Sequence, residues 1–362
     1  MEILQIDENM RCADIDAENT LWHDPQRQPF HILGFPFWER GGVFRRLPLC
    51  SQGLVEQVNP ELNLLARHTA GGQIAFCTDS PFLCVRVWLD GPAALAHMAA
   101  TGECGFDCYI KENGAWLFMG SAKYDIRQTH YEALLCDGLS ARPREMRLNF
   151  PLYMGVKKVL VGIAKGSALS APPPPRRTGR VVVYGTSITQ GGCASRPGMS
   201  YTNLLSRKLD VEFVNLGFSG NGFGEPQIAA LMAEIRDVKL FLLDYETNAA
   251  RKGTFESSLP IFVDTLRRSY PTAPILLLSL FRLPAWMDPE TRAAADARRA
   301  FQENFVKERR AHGDLGLYFL NGENLMGENW HECTVDGIHP TDLGFSRMAT
   351  ALEEPIRRLL DA

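Results

Sequence analysis

Four consecutive prolines, Pro172-Pro173-Pro174-Pro175, constrain this chain more than any other feature. Proline lacks an amide donor and fixes φ, so neither a helix nor a central strand runs through such a stretch. It reads as a stiff, extended spacer. The texture differs on its two sides. Before it, from residue 22 to 163, short apolar runs end in turn residues, and no long helical period intervenes. Strands are expected at 72–78, 82–89, 105–110, 115–119, 146–150 and 156–162. Asn113-Gly114 sits between the third and fourth of these, a strong hairpin signal. Residues 1–171 are therefore expected to form an antiparallel, jelly-roll-like β-sandwich, with a weakly held lead-in up to about Thr20.

Past the spacer, taken as 172–178, strand-like and helix-like runs alternate. Strands are expected at 180–184, 211–216, 239–243, 275–280 and 315–320. Helices are expected from Ser200 to about Leu209, from Pro226, over 257–270 and 289–310, and after Thr341. Alternation of this kind predicts a parallel, three-layer α/β sheet over residues 179–362. Right-handed crossovers then put every strand's carboxyl end on one edge, where open sheets of this class bind ligands.

Four pieces of sequence fall on that edge. Ser187 follows the first strand in Gly185-Thr186-Ser187-Ile188-Thr189, and Gly220 follows the second. Asn248 follows the third, and Asp336-Gly337-Ile338-His339-Pro340 precedes the last helix. Acyl transfer needs these parts. Ser187 offers an attacking oxygen, His339 a base, and Asp336 a carboxylate near enough to orient the ring. The backbone N–H groups of Ser187 and Gly220 and the side-chain N–H of Asn248 are candidate donors to a developing oxyanion. Taken singly, each piece also reads as an ordinary turn. The glycine-rich 217–224 stretch lacks the spacing and lysine of a phosphate loop. His331, Cys333, Asp336 and His339 match no standard zinc spacing.

Composition narrows the classes further. Apolar residues make up 45%, charged residues 22%, and the formal net charge is −4. No basic footprint for nucleic acid and no run of membrane-spanning length is present. Residues 1–15 lack the basic and apolar regions of a secretory signal. Nine irregularly spaced cysteines suggest free thiols in a reducing cytoplasm.

The four blocks resemble those of the SGNH (GDSL-like) hydrolases, over residues 180 to about 360. The resemblance implies a flavodoxin-like three-layer fold and ester hydrolysis without cofactor or metal. It makes Ser187 the nucleophile, His339 the base and Asp336 its orienter, with Ser187, Gly220 and Asn248 forming the oxyanion hole. Gly105-Phe106-Asp107-Cys108-Tyr109 is similar to the G-x-D-L-Y motif of a β-domain that precedes one SGNH subgroup, and the 148–156 stretch is similar to another part of it. There are departures. Cys108 replaces the motif's leucine, Thr186 replaces the aspartate of G-D-S, and the third block reads Glu246-Thr247-Asn248-Ala249 rather than G-x-N-D.

Asn221, Tyr245, Glu246, Arg282 and Trp330 are the candidate substrate contacts on the same edge. No long apolar loop resembles a lipase lid, so the expected substrate is a small ester with a short acyl group, such as an acetylated sugar. The same residues would support a thioesterase, lactonase or acyltransferase. A non-catalytic binding protein would be expected to have lost part of the Ser187, Asp336, His339 set. Homo-oligomer formation stays open.

Overall fold

The computed structural model describes residues 6–38 and 42–361. Of the expected lead-in, residues 1–5 lie outside the described residues. The rest holds one short 3₁₀ turn, Glu8–Met10, and is mostly exposed up to residue 19.

The N-terminal half folds as two antiparallel sheets. One contains β1 (Thr20–His23), β9 (Val156–Ala164), β4 (Leu83–Leu89) and β7 (His130–Cys136), in that spatial order. The other contains β10 (Leu169–Ser170), β3 (Gln73–Thr78), β8 (Arg144–Asn149), β5 (Asp107–Glu112) and β6 (Ala115–Ser121), with β2 (His31–Leu33) paired to β3. Alternation explains the sandwich. Leu83, Val85, Val87 and Leu89 of β4, and Val159, Val161 and Ile163 of β9, turn into a shared core with Phe76, Phe106 and Leu148. Asn113 and Gly114 carry φ of 49° and 80°, both positive, as a two-residue type I′ hairpin turn requires.

The C-terminal half holds five parallel strands in the order β12 (Glu212–Gly217), β11 (Arg180–Gly185), β13 (Val238–Asp244), β14 (Ile275–Leu278) and β15 (Leu317–Leu320). This 2-1-3-4-5 order is that of the flavodoxin-like class. Its inner strands β11, β13 and β14 are buried on both faces, which is why they read as near-continuous apolar runs. Val181 and Val183 face a core formed with the helices Tyr201–Leu209 and Asp342–Asp361. Val182 and Tyr184 face the opposite core, with the helices Pro226–Met232 and Phe255–Ser269.

The two halves share these cores. The short helices Gln52–Val58 and Pro60–Leu65 place Val55, Leu62 and Leu65 in the same cluster as Val182 and Tyr184, while Leu152 joins Val181 and Val183. The Gly105–Tyr109 motif is a second clamp. Phe106 and Cys108 enter the sandwich core, and the alternate residues reach the other half. The fully buried Asp107 accepts from the Gly198 N–H at 2.7 Å and from Asn149 Nδ2 at 2.6 Å, and pairs with Arg196 at 3.3 Å. Burial pushes its carboxyl pKa up, and those hydrogen bonds and charges pull against the shift. Tyr109 accepts from Arg196 and lies under the Arg207 guanidinium. Gly105 allows the turn into this strand, since a Cβ there would sit 2.6 Å from the Thr101 carbonyl oxygen.

Candidate active site

Ser187 stands where β11 ends. Gly185 permits the sharp exit, because a Cβ on it would lie 2.0 Å from Thr189 Oγ1. Thr186 then caps the single helical turn Ser187–Gln190, its hydroxyl accepting from the Ile188 N–H at 3.2 Å. Gly191, at φ 114°, ends that turn. The result is a buried serine, 8% exposed, at the carboxyl edge of β11, an inner strand of the sheet.

His339 arrives on a separate turn. The Val335 N–H donates to the His339 carbonyl at 2.9 Å, and the Cys193 N–H ties the adjacent Pro340 carbonyl to the segment after Ser187 at 3.0 Å. His339 Nε2 lies 2.9 Å from Ser187 Oγ, and Nδ1 lies 2.7 Å from Asp336 Oδ2. Asp336 Oδ1 accepts from the N–H groups of Ile338 and His339 at 3.0 and 2.8 Å. Burial opposes the Asp336 charge, but hydrogen bonds from the His339 N–H and ring and from the Ile338 N–H outweigh it. They hold its pKa down to about 2. The carboxylate is therefore charged across the neutral range. With that acceptor on Nδ1, the lone pair of Nε2 faces the serine hydroxyl.

Gly220 and Asn248 are together, in an arrangement different from the one expected. The backbone N–H groups of Asn221, Gly222 and Gly220 converge on one terminal atom of the Asn248 amide, at 3.0, 3.1 and 3.3 Å. An atom receiving three donors is the amide oxygen, so the NH₂ takes the other side. Gly220 and Asn248 are thus coupled rather than independent donors: Asn248 gathers the loop, and the longest of its three contacts is to Gly220.

The candidate substrate contacts fare differently. Tyr245 is buried against Tyr184 and Phe262, its hydroxyl 3.1 Å from that of Ser258. Glu246 is buried too, accepting from the Leu280 N–H, Arg298 and Gln302. Both face the structural layer. Asn221 is held by Asn59 and Glu61, each at 2.9 Å. Arg282 pairs with Glu323 at 2.9 Å and lies 5.7 Å from the centre of the half-buried Trp330 ring. His331 and Cys333 do not join His339. The first is exposed beside Glu332, and the second is buried with its thiol towards the Met326 and Asn329 carbonyls.

The N-terminal half also reaches the site, through residues outside the candidate set. The Tyr153 hydroxyl donates to the Ser187 carbonyl at 3.1 Å. Gln190, one turn after Ser187, accepts from the Ser219 N–H at 3.0 Å and donates to the Leu152 carbonyl at 3.0 Å. Its amide also meets His68 Nδ1 at 3.1 Å. Burial, with Arg46 and Arg67 nearby, pushes His68 down to about 3, so it is a neutral acceptor there. The fully buried Arg46 donates to the carbonyls of Leu65, His68, Asn215 and Gly217 and stacks on Phe218. It thereby grips the strand end from which the Gly220 loop departs. His97 lies beside the triad, 3.8 Å from Asp336, and its ring centre is 5.6 Å from that of His339.

Among the described residues no helix is long and apolar enough to cross a membrane. Residues 178–357 match the model of the GDSL-like lipase/acylhydrolase family, and residues 20–169 match that of the N-terminus of SGNH-hydrolase-type esterases. No curated protein matches the chain. A GDSL-like lipase from Bacteroides ovatus is 30% identical with a TM-score of 0.84, over 95% of this chain and 98% of that one. A salicylyl-acyltransferase from a tetracycline biosynthetic pathway shares the fold at 21% identity and TM-score 0.76, over 94% and 97% of the two chains. A family two carbohydrate esterase from Cellvibrio japonicus shares it at 16% identity and TM-score 0.60, over 94% and 98%. With full-length identity of this order to the Bacteroides ovatus lipase, and both halves matched by their own models, the chain belongs to the GDSL-like lipase/acylhydrolase family and is a carboxylic ester hydrolase.

Proposed function

We propose that this hydrolase removes a short acyl group, acetyl above all, from a carbohydrate or other small ester through an acyl-enzyme on Ser187. The observation that carries the reading is the unbroken chain from Ser187 Oγ through His339 to Asp336, at 2.9 and 2.7 Å. Ser187 Oγ attacks the acyl carbon as His339 Nε2 takes its proton. The tetrahedral intermediate collapses, and the alkoxide leaves with that proton. Water then repeats the sequence on the acyl-enzyme, releasing the acid and restoring Ser187. Asp336 holds the ring in the required tautomer and faces the imidazolium that forms. The Ser187 and Gly220 N–H groups and the Asn248 NH₂ are assigned to the oxyanion. For Gly220 this requires that its long contact to Asn248 yield as negative charge develops.

On the same reading, residues 1–171 form a domain that braces the catalytic domain, 179–362, across the 172–178 linker. The carbohydrate side of the substrate rests on fold-level likeness to carbohydrate esterases. The test is hydrolysis of p-nitrophenyl acetate, butyrate and octanoate beside acetate release from peracetylated sugars. Preference for acetate, with release from the sugars, supports the proposal. Preference for octanoate refutes the short-chain assignment.

A further inference from the structure

His97, Cys193 and His339 come from three separate segments, yet one donor atom from each lies within 4.8 Å of the other two. Two imidazole nitrogens and a thiol form a donor set suited to a borderline-soft divalent cation. We infer that these three side chains bind a thiophilic divalent cation, zinc foremost, and that its binding reversibly switches the hydrolase off.

The geometry favours this reading at each ligand. His339 Nδ1 is occupied by Asp336 at 2.7 Å, so Nε2 is the atom left to coordinate. A carboxylate behind a histidine is the arrangement that orients metal-binding imidazoles and raises their basicity. The lone pair a cation would take is the one that accepts the Ser187 proton, at 2.9 Å in this structure. Cation and serine proton therefore compete for one site. Cys193 is buried and adjoins the turn after Ser187. On coordination its proton passes to solvent and the thiolate binds the cation. His97 is the adaptable member, its side chain 44% exposed and 3.8 Å from Asp336. Tetrahedral zinc at its usual bond lengths needs donors about 3.4–3.7 Å apart. Donors within 4.8 Å of one another need to approach by no more than about 1.4 Å to reach that spacing, and the exposed His97 is the side chain with most room to move.

The inference rests on His339 being the general base, and the two ideas are separated by measuring binding apart from turnover. Cobalt(II) titrated into Ser187→Ala is expected to give a thiolate-to-cobalt charge-transfer band that Cys193→Ser lacks. In turnover assays zinc is expected to inhibit the wild type, and a chelator to restore it. His97→Ala and Cys193→Ser should each need at least about tenfold more zinc, judging by the affinity lost when a metal site is disturbed. Absence of the cobalt band, zinc activation, or equal zinc sensitivity in wild type and both variants overturns the inference. A cobalt band in Ser187→Ala beside a wild type that hydrolyses no ester would leave the site standing and refute the proposed reaction.

Discussion

Replacing Asp336 by asparagine should disable this enzyme through a tautomer rather than through loss of shape. Asp336 Oδ1 accepts two backbone N–H groups, and Oδ2 faces His339 Nδ1. An asparagine keeps its oxygen on the backbone side, so its NH₂ points at Nδ1. The ring proton then moves to Nε2, which faces Ser187 as a donor and cannot take a proton. Turning the amide over would forfeit both backbone bonds, at about 1 kcal/mol each, holding that form near one part in thirty. Losing the negative charge opposite the imidazolium removes about 2–3 kcal/mol more. The sum, about 4–5 kcal/mol, is roughly 10³–10⁴ in kcat, the scale of a wrong-tautomer triad. The assay is kcat on p-nitrophenyl acetate for wild type and Asp336→Asn, with thermal melts to show that the fold persists. A variant within about tenfold of wild type, equally folded, would refute this assignment of Asp336.

Asn248→Ala should lower kcat by ~10²–10³, as loss of one oxyanion donor does. Asn248→Asp keeps an acceptor for the three loop N–H groups but loses the NH₂; wild-type kcat in that variant would show that Asn248 only anchors the loop. Asp107→Asn turns an NH₂ either on the Gly198 N–H and Arg196 or on the Asn149 NH₂, removes the charge opposite Arg196, and should destabilise the protein by about 3–5 kcal/mol in urea unfolding. A loss under about 1 kcal/mol would remove Asp107 from the clamp between the halves. Asp244 is half-buried, and desolvation pushes its carboxyl up from 3.8 to about 7, against hydrogen bonds from Thr189 and Tyr201. Its raised pKa makes the folded state the better proton binder, so its contribution is complete below about 3.8 and lost as pH rises through about 7. Urea midpoints measured across that range should fall less with pH in Asp244→Asn than in wild type, and identical slopes would contradict this.

The catalytic candidates were legible because each sits beside a local signal. A β-branched run with a glycine exit marks Ser187, and a tight turn before a helix marks Asp336 and His339. The sheet class followed from alternation, because strands buried on both faces announce themselves as apolar runs. Side-chain direction was not legible at strand ends. Tyr245 follows β13 on the right edge, yet its ring turns into the aromatic cluster of Tyr184 and Phe262. Nor were the supports from the first half. Arg46 meets Gly217 across 171 positions, and Tyr153 meets Ser187 across 34. Only Tyr153 lay in a stretch that had been singled out, 148–156. Contacts of this span depend on how two cores merge, and the helices that merge them, Gln52–Val58 and Pro60–Leu65, are too short to show a helical period.

The central claim is that Ser187 carries the acyl group. A fluorophosphonate probe followed by peptide mass mapping tests it directly. Stoichiometric labelling on the peptide containing Ser187, abolished in Ser187→Ala and slowed in Asp336→Asn, is the predicted result. Labelling on another residue, or undiminished labelling and ester turnover in Ser187→Ala, would contradict it.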